Sequence, residues 1–323
     1  MRVLVTGGAG FIGSHVVDRL VAHGHGVTVL DNLSTGRREN VADGVDIILS
    51  DVTDPFLARA LAHRKFDAVI HHAAQASVPR SLVDPRFDAQ VNLVGTMNLL
   101  EYAIQSRVSR FIFASSAAVY GNPRSVPIAE DAPTTPLSPY AMSKLAAEQH
   151  ARETARNTDL QVVILRYANV YGPRQSIHGE PGVVCAMINQ IVTRRLVIIH
   201  GDGQQKRDFV YVSDVAKANL LALRKDAPCG VYNVGTGVST TILELKRLLA
   251  GANGNVEFVP ARPGDVRDSV LDSEAIRSKI GWRPTVSLAA GLARTGRYYF
   301  GARNRTSYSP RALASPSSTS VSF

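Results

Sequence analysis

Residues 1–21 constrain the rest of the chain most. Arg2-Val3-Leu4-Val5-Thr6 is a short apolar, β-branched run. Gly7-Gly8-Ala9-Gly10-Phe11-Ile12-Gly13 follows, and then Ser14 to Val21, with apolar residues at helical spacing. The order is strand, glycine turn, helix. Glycines at 7, 10 and 13 allow a tight turn, a close approach of pyrophosphate to the backbone, and tight packing of helix on strand. Free N–H groups at the start of the helix then face the phosphates. A second strand, Gly26 to Leu30, ends at Asp31. A carboxylate there accepts hydrogen bonds from an adenosine ribose and repels a 2′-phosphate, so NAD is expected over NADP. A lone glycine triplet is weak; the strand before it, the helix after it and the acid beyond make this one specific.

A chain of 323 residues that is 45% hydrophobic and 20% charged suits a globular protein with a sizeable core. Cys185 and Cys229 fit neither a disulfide framework nor metal-ligand spacing, which predicts a reducing, cytoplasmic setting. No apolar run reaches membrane-span length, and the first residues read as a core strand rather than a leader. The net charge of +9 is scattered, without a basic stripe interleaved with aromatics. Nucleic acid is therefore not expected, and a modest positive excess suits an anionic small molecule.

Further strands are expected at Val45–Leu49, Phe66–Ile70, Phe111–Ala114 and Leu160–Arg166, with helices at Asp88–Ser106 and Pro139–Asn157. This alternation predicts an α/β, Rossmann-type, doubly wound parallel sheet over residues 1–173. Residues 174–300 are expected to form a smaller α/β substrate-binding domain, with segments free to interleave. Residues 301–323 are Ser-, Arg- and Pro-rich and read as a disordered tail. Asn304-Arg305-Thr306 in that tail is a chance glycosylation triplet. Asp51 either meets the adenine amino group or caps the segment after it. The pair His71-His72 points to opposite faces of a strand and has no third ligand nearby, so no metal is expected.

Tyr140 and Lys144, four apart on a helix, share a face, and Ser116 ends a strand at the sheet edge where ligands bind in such folds. A lysine cation and an oxidised nicotinamide both favour phenolate. Tyr140 is thus a candidate base for a substrate hydroxyl, with Ser116 relaying the proton or holding the oxygen.

With these residues in view, the chain resembles the extended short-chain dehydrogenase/reductase family over nearly its whole ordered length. Thr6–Gly13, Asp31-Asn32, Asp51-Val52, His72-Ala73-Ala74-Gln75, Asn92, Ser115–Gly121 and the Tyr140/Lys144 pair carry the likeness. Arg166–Gln175, Gly201-Asp202-Gly203, Arg207-Asp208-Phe209-Val210 and Arg262-Pro263-Gly264-Asp265 match its nucleotide-sugar branch, most of all the enzymes that epimerise UDP-hexoses. The resemblance implies Ser116, Tyr140 and Lys144 as catalytic residues. It implies a cofactor site of Gly7, Gly10, Phe11, Ile12, Gly13, Asp31, Asn32, Asp51, Val52, His72, Ala73, Ala74, Asn92, Tyr140, Lys144 and Tyr167, the last lining the nicotinamide pocket. It further implies that Asn169, Arg207, Arg262 and Asp265, with Ser116, hold a UDP-sugar.

Two arginines from separate segments can clamp a pyrophosphate with forked donors, the alternative being solvated surface charge. Sugar-nucleotide dehydratases of this family carry an Asp-Glu pair where this chain has Ala117-Ala118, which argues against dehydration. A difference at Ser213-Asp214 carries no evident consequence. The expected activity is C4 epimerisation of UDP-glucose and UDP-galactose. The rivals are epimerisation of UDP-glucuronate or a UDP-N-acetylhexosamine, a reductase, and a non-catalytic NAD-binding regulator. A homodimer is expected, because the family commonly pairs through the two long helices, which carry further apolar positions at Leu93, Leu99, Leu145 and Ala146.

Overall fold

A computed structural model describes residues 1–176, 181–251, 255–262 and 265–301. The expected tail beyond 301, with its glycosylation triplet, lies outside the described residues, as do Pro263 and Gly264.

A seven-stranded parallel sheet organises the molecule. Its first six strands in the chain are β1 (Arg2–Thr6), β2 (Gly26–Asp31), β3 (Asp46–Leu49), β4 (Ala68–His71), β5 (Arg110–Ser116) and β6 (Gln161–Tyr167). The seventh is Gly230–Val234, and the spatial order is Gly230–Val234, β6, β5, β4, β1, β2, β3. All pairs are parallel. The order reverses at β1, which lies between β2 and β4, so the crevice opens past Thr6 and His71. Register places Ser116 beside Tyr167, and Tyr167 beside Val234, at the same edge.

The helices cover both faces. α1 (Phe11–Ala22) packs against the helix Val212–Ala222 on one face. Val3, Val5, Val16, Leu20, Ile112 and Trp282 share the core there. On the other face lie α2 (Leu57–Leu61), α3 (Val78–Val83), α4 (Pro85–Ala89), α5 (Gly95–Gln105) and α6 (Pro139–Asn157). A third cluster around Tyr171, Met187, Ile199 and Leu245 is the core of the C-terminal part. Gly230–Val234 and Val212–Ala222 belong to the sheet layers although they follow residue 173.

Two expectations need correction. The helix expected over Asp88–Ser106 is broken: α4 ends at Ala89, a π turn covers Gln90–Val94, and α5 begins at Gly95. A single extra residue shifts the later positions by about 100° relative to an unbroken helix, and apolar spacing in the sequence does not reveal it. Leu99, expected on an outer face, is completely buried, while Leu93, Leu145 and Ala146 are half-buried. The exposed apolar side chains of these helices are instead Leu82, Val83, Phe87, Met97, Ile104 and Met142.

Asp214 also gains a role. Its carboxylate accepts from Thr285 N (2.9 Å), Val286 N (3.0 Å) and Thr285 Oγ1 (2.6 Å), while its carbonyl accepts from Trp282 Nε1 (2.8 Å). It pins the last segment of the chain to Val212–Ala222.

Candidate active site

The glycine turn has the tightness its sequence demands. Gly7 has φ +66°, and a Cβ there would lie 2.6 Å from Ala73 N; at Gly13 it would lie 2.1 Å from the Gly7 carbonyl oxygen. No side chain can replace either hydrogen without moving backbone. Helix α1 starts with no side-chain cap and no acid in its first turn, which leaves its N–H donors to an anion.

Asp31 is buried at the end of β2, where Oδ2 accepts from Ala9 N (3.0 Å) and Oδ1 from Leu33 N (2.8 Å). A carboxylate has about four lone-pair sites, so acceptor capacity remains for ribose hydroxyls. Asn32 Nδ2 donates to Asp51 Oδ2 (2.7 Å), and Asp51 Oδ1 accepts from Thr53 N and Oγ1, each 2.8 Å. Asp51 therefore closes its own turn and caps no helix. Val52 is buried, its side chain against Gly95 and its carbonyl accepting from Asn98 Nδ2 at 2.9 Å. These features fit NAD: a glycine cradle for the pyrophosphate and an acid for an unphosphorylated ribose.

Beyond β4, Ala73 N donates to Thr6 Oγ1 (3.2 Å), and Ala74 beside it is half-buried. His72 stacks on Tyr167 (6.0 Å between centroids, 15° between planes), and its Nε2 lies 3.1 Å from the Tyr167 hydroxyl. Burial first, then the Lys144 charge, hold the His72 imidazole down to about 3, so it is neutral. Tyr167 also bonds Asn219, and burial drives its phenol well up. Asn92 is fully buried, and its amide is spent on Gln75 O (2.9 Å), Asp88 Oδ1 (3.1 Å) and Ser143 Oγ (3.2 Å). It reaches a ligand only through these neighbours.

Helix α6 begins where the sequence says. Ser138 Oγ accepts from Ala141 N (3.2 Å), and Pro139 occupies the first position. Tyr140 is thereby fixed in the first turn, its phenol within electrostatic reach of Ser116 at the end of β5. Lys144, one turn on, is 3% exposed, donates from Nζ to Ala114 O (3.0 Å) and lies 4.9 Å from the Phe113 ring centroid. The structure brings Ser116, Tyr140 and Lys144 together at the crevice.

Their electrostatics differ from the expectation. Burial holds the Tyr140 phenol above its ordinary value; the Ser116 hydroxyl opposes this, and the Asp88 charge adds to it. Burial also pulls the Lys144 ammonium down to about 8, against the Asp88 and Glu148 carboxylates. Burial, rather than the lysine, dominates the phenol.

Asp88, Gln75, Ser143, Glu148 and Arg166, which support these residues, were not named as site residues, although Gln75 and Arg166 lie in segments that carry the resemblance. Arg166 Nη2 meets Glu148 Oε2 at 2.6 Å in the interior, and the Ser115 hydroxyl also bonds Glu148. The missed signal was the pair Asp88 and Asn92, four apart, together with the serine preceding Lys144.

The nominated substrate residues converge in part. Asn169 N donates to Asp208 O (2.9 Å), with its side chain exposed. Burial lowers the Arg207 guanidinium, and the charges of Asp265 and Asp268 oppose this. Asp265 N donates to Arg262 O (3.2 Å), and Arg262 Nη2 lies 3.0 Å from His200 Nε2. Arg207, Arg262 and Asp265 thus occupy one neighbourhood.

Residues 3–235 match the model of the NAD dependent epimerase/dehydratase family. The chain belongs to this family. It is 45% identical over 311 residues to the UDP-glucose 4-epimerase of Mycolicibacterium smegmatis, covering 93% of this chain and 98% of that one. A solved UDP-glucose 4-epimerase from Thermotoga maritima, with UDP-glucose, superposes with TM-score 0.90 at 42% identity, covering 94% of this chain and 99% of that one. The Thermus thermophilus UDP-glucose 4-epimerase, in complex with NAD, gives TM-score 0.88 at 44% identity, covering 94% and 100%.

Proposed function

We propose that this protein is an NAD-dependent 4-epimerase of UDP-hexoses, interconverting UDP-glucose and UDP-galactose through a 4-keto sugar. The observation that carries the reading is Tyr140 in the first turn of α6, its phenol within electrostatic reach of Ser116 at the end of β5, with Lys144 one turn away. It agrees with the substrate named for the relatives above.

Gly7, Gly10, Phe11, Ile12 and Gly13 hold the pyrophosphate, and Asp31, with Asn32 and Asp51 behind it, holds the adenosine ribose. Bound NAD supplies the redox chemistry, removal and return of a hydride at C4. Tyr140 accepts the proton of the C4 hydroxyl as that carbon is oxidised, and Ser116 keeps the oxygen in line. The Lys144 ammonium favours the phenolate, with donors to spare after its bond to Ala114 O. Arg207 and Arg262 grip the diphosphate while the keto sugar turns to present its other face, and Tyr140 then returns the proton. Residues 1–173 with the returning segments 209–234 and 274–282 form the nucleotide-binding part, and the remainder to residue 300 forms the sugar-nucleotide part.

The exposed apolar side chains on α3 to α6 support a homodimer. No helix among the described residues is long and apolar enough to cross a membrane, and both cysteines are free, which suits the cytoplasm. Purified protein given UDP-galactose with no added NAD tests the function. Formation of UDP-glucose is the expected result. A requirement for stoichiometric NAD(H) would indicate a reductase, and silence toward every UDP-sugar would indicate a regulator.

A further inference from the structure

Asp88 takes no part in the reaction as drawn above, yet it is completely buried next to the residues that do. Its carboxylate accepts from three elements: Gln75 Nε2 (2.8 Å) from the loop after β4, Asn92 Nδ2 (3.1 Å) from the π turn, and Ser143 Oγ (2.5 Å) from α6. Three donors around one carboxyl suit the anion, which has only acceptor lone pairs. Gln75 and Asn92 are locked further, Gln75 N donating to Asn92 Oδ1 (2.9 Å) and Asn92 Nδ2 to Gln75 O (2.9 Å). The loop that faces the crevice and the helix that carries Tyr140 and Lys144 are therefore tied to one buried charge.

The other charged or titratable groups around Lys144 are accounted for. Glu148, on its own helix, is paired with Arg166. His71, at the end of β4, sits between Thr6 Oγ1 (2.7 Å) and Thr96 Oγ1 (3.0 Å), and His72 is neutral. Burial holds His71 well below its ordinary value as well. Among the described residues no lysine or arginine forms an ion pair with Asp88. Its negative charge is free to act on Tyr140 and Lys144.

We propose that Asp88 is a positioning residue whose fixed charge keeps the proton on Lys144 and sets the pH window in which Tyr140 and Lys144 work as a pair. Burial opposes charge on Lys144, and of the two carboxylates that oppose burial Asp88 is the larger influence. The same charge discourages phenolate at Tyr140. The working state needs phenolate and ammonium together. Removing the charge lets Tyr140 lose its proton at lower pH and makes Lys144 lose its proton at lower pH. Both limbs of the kcat profile then move toward acid. A residue that only holds structure would lower the plateau and leave the limbs in place.

The proposal rests on the epimerase reading, so its test carries one readout that does not. Asp88→Asn keeps the shape: the amide oxygen can accept from Gln75 and Asn92, and the amide nitrogen can donate to Ser143 Oγ. That hydroxyl then bonds the Tyr140 carbonyl, already 3.0 Å away. With UDP-galactose, D88N is expected to shift both limbs down by about one pH unit, the lower end for removal of a nearby charge, with KM little changed. Ser143→Ala deletes one hydrogen bond but keeps the charge, so its limbs should match the wild type. In parallel, NMR of protein labelled with ¹³C-lysine, with Lys144 assigned by its absence in Lys144→Met, follows the ammonium directly. Its midpoint should fall by a similar amount in D88N. Unmoved limbs or an unmoved lysine midpoint in folded D88N overturn the proposal, as do S143A limbs that move as far as those of D88N. Should D88N not fold, Asp88→Ser removes the same charge and leaves room for water. A wild type that does not epimerise refutes the reaction, and the lysine titration still decides Asp88.

Discussion

Tyr140 illustrates how a side chain's chemistry depends on what surrounds it. In water a tyrosine gives up its proton near pH ~10; here burial and Asp88 push it higher, with the Ser116 hydroxyl opposing. As the proposed base, Tyr140 needs the ammonium of Lys144 and the positive ring of an oxidised nicotinamide to favour its phenolate. Tyr140→Phe removes only the oxygen. Turnover is expected to fall at least ~10²-fold, the scale of one acid–base group, while NAD recovered from the purified protein stays near one per chain. Turnover close to that of the wild type would place the base elsewhere. Lys144 and Glu148 lie four apart on α6, and the Glu148–Arg166 pair beneath them is buried. Removing one partner of such a pair typically costs about 3–5 kcal/mol, because the other charge is left without compensation.

Among the elements, α6 carries the most function. Its nineteen residues, Pro139–Asn157, begin at a Ser138 cap and a proline that cannot extend the helix backward. Tyr140 lies in that first turn, so the cap that stabilises the helix also fixes the proposed base. Ser138→Ala should lower stability by about 1 kcal/mol, the usual loss for a serine cap, and should lower kcat more than it raises KM. Chemical denaturation and steady-state kinetics check the two parts. A variant with unchanged midpoint and unchanged kcat would separate the cap from the catalytic geometry. The π turn at Gln90–Val94 serves a related purpose. A turn of this kind widens the helix locally, and Asn92 within it directs its amide to Gln75, Asp88 and Ser143 at once.

For the whole molecule, the central question is what covers the helical face. Val83 is 86% exposed, Met142 60% and Met97 41%, on helices that pack on one another. Side chains of that size in water are costly when contiguous, and burying each contributes on the order of 1.5–3 kcal/mol. Light scattering at micromolar concentration should therefore give the mass of two chains. The double variant Met97→Asp and Met142→Asp should give one chain with its fold intact, since both positions are already in solvent. A wild type that runs as a monomer would reject the dimer.

Much of this was legible in the sequence because it is local. The strand, glycine turn and helix of residues 2–22, Asp31 at the end of β2, and the capped helix with Tyr140 and Lys144 on one face all depend on residues within a few positions of each other. Spacing, capping and steric demand act over that range. Asp88 belongs to the other kind. Its partners are 13, 4 and 55 residues away, and the Asp88–Asn92 spacing by itself does not say that either will be buried. The same holds for Leu99, which spacing alone put outside, for Gly230–Val234, which returns to the central sheet from beyond residue 173, and for the raised phenol of Tyr140. Burial and the direction of a pKa shift are sums over neighbours supplied by distant segments. The sequence by itself determined the glycine cradle and the placing of Tyr140 and Lys144 on one helix face, the proposed reacting pair with Ser116; only the tertiary structure decided which charges surround these residues, because desolvation exists only once the layers have packed.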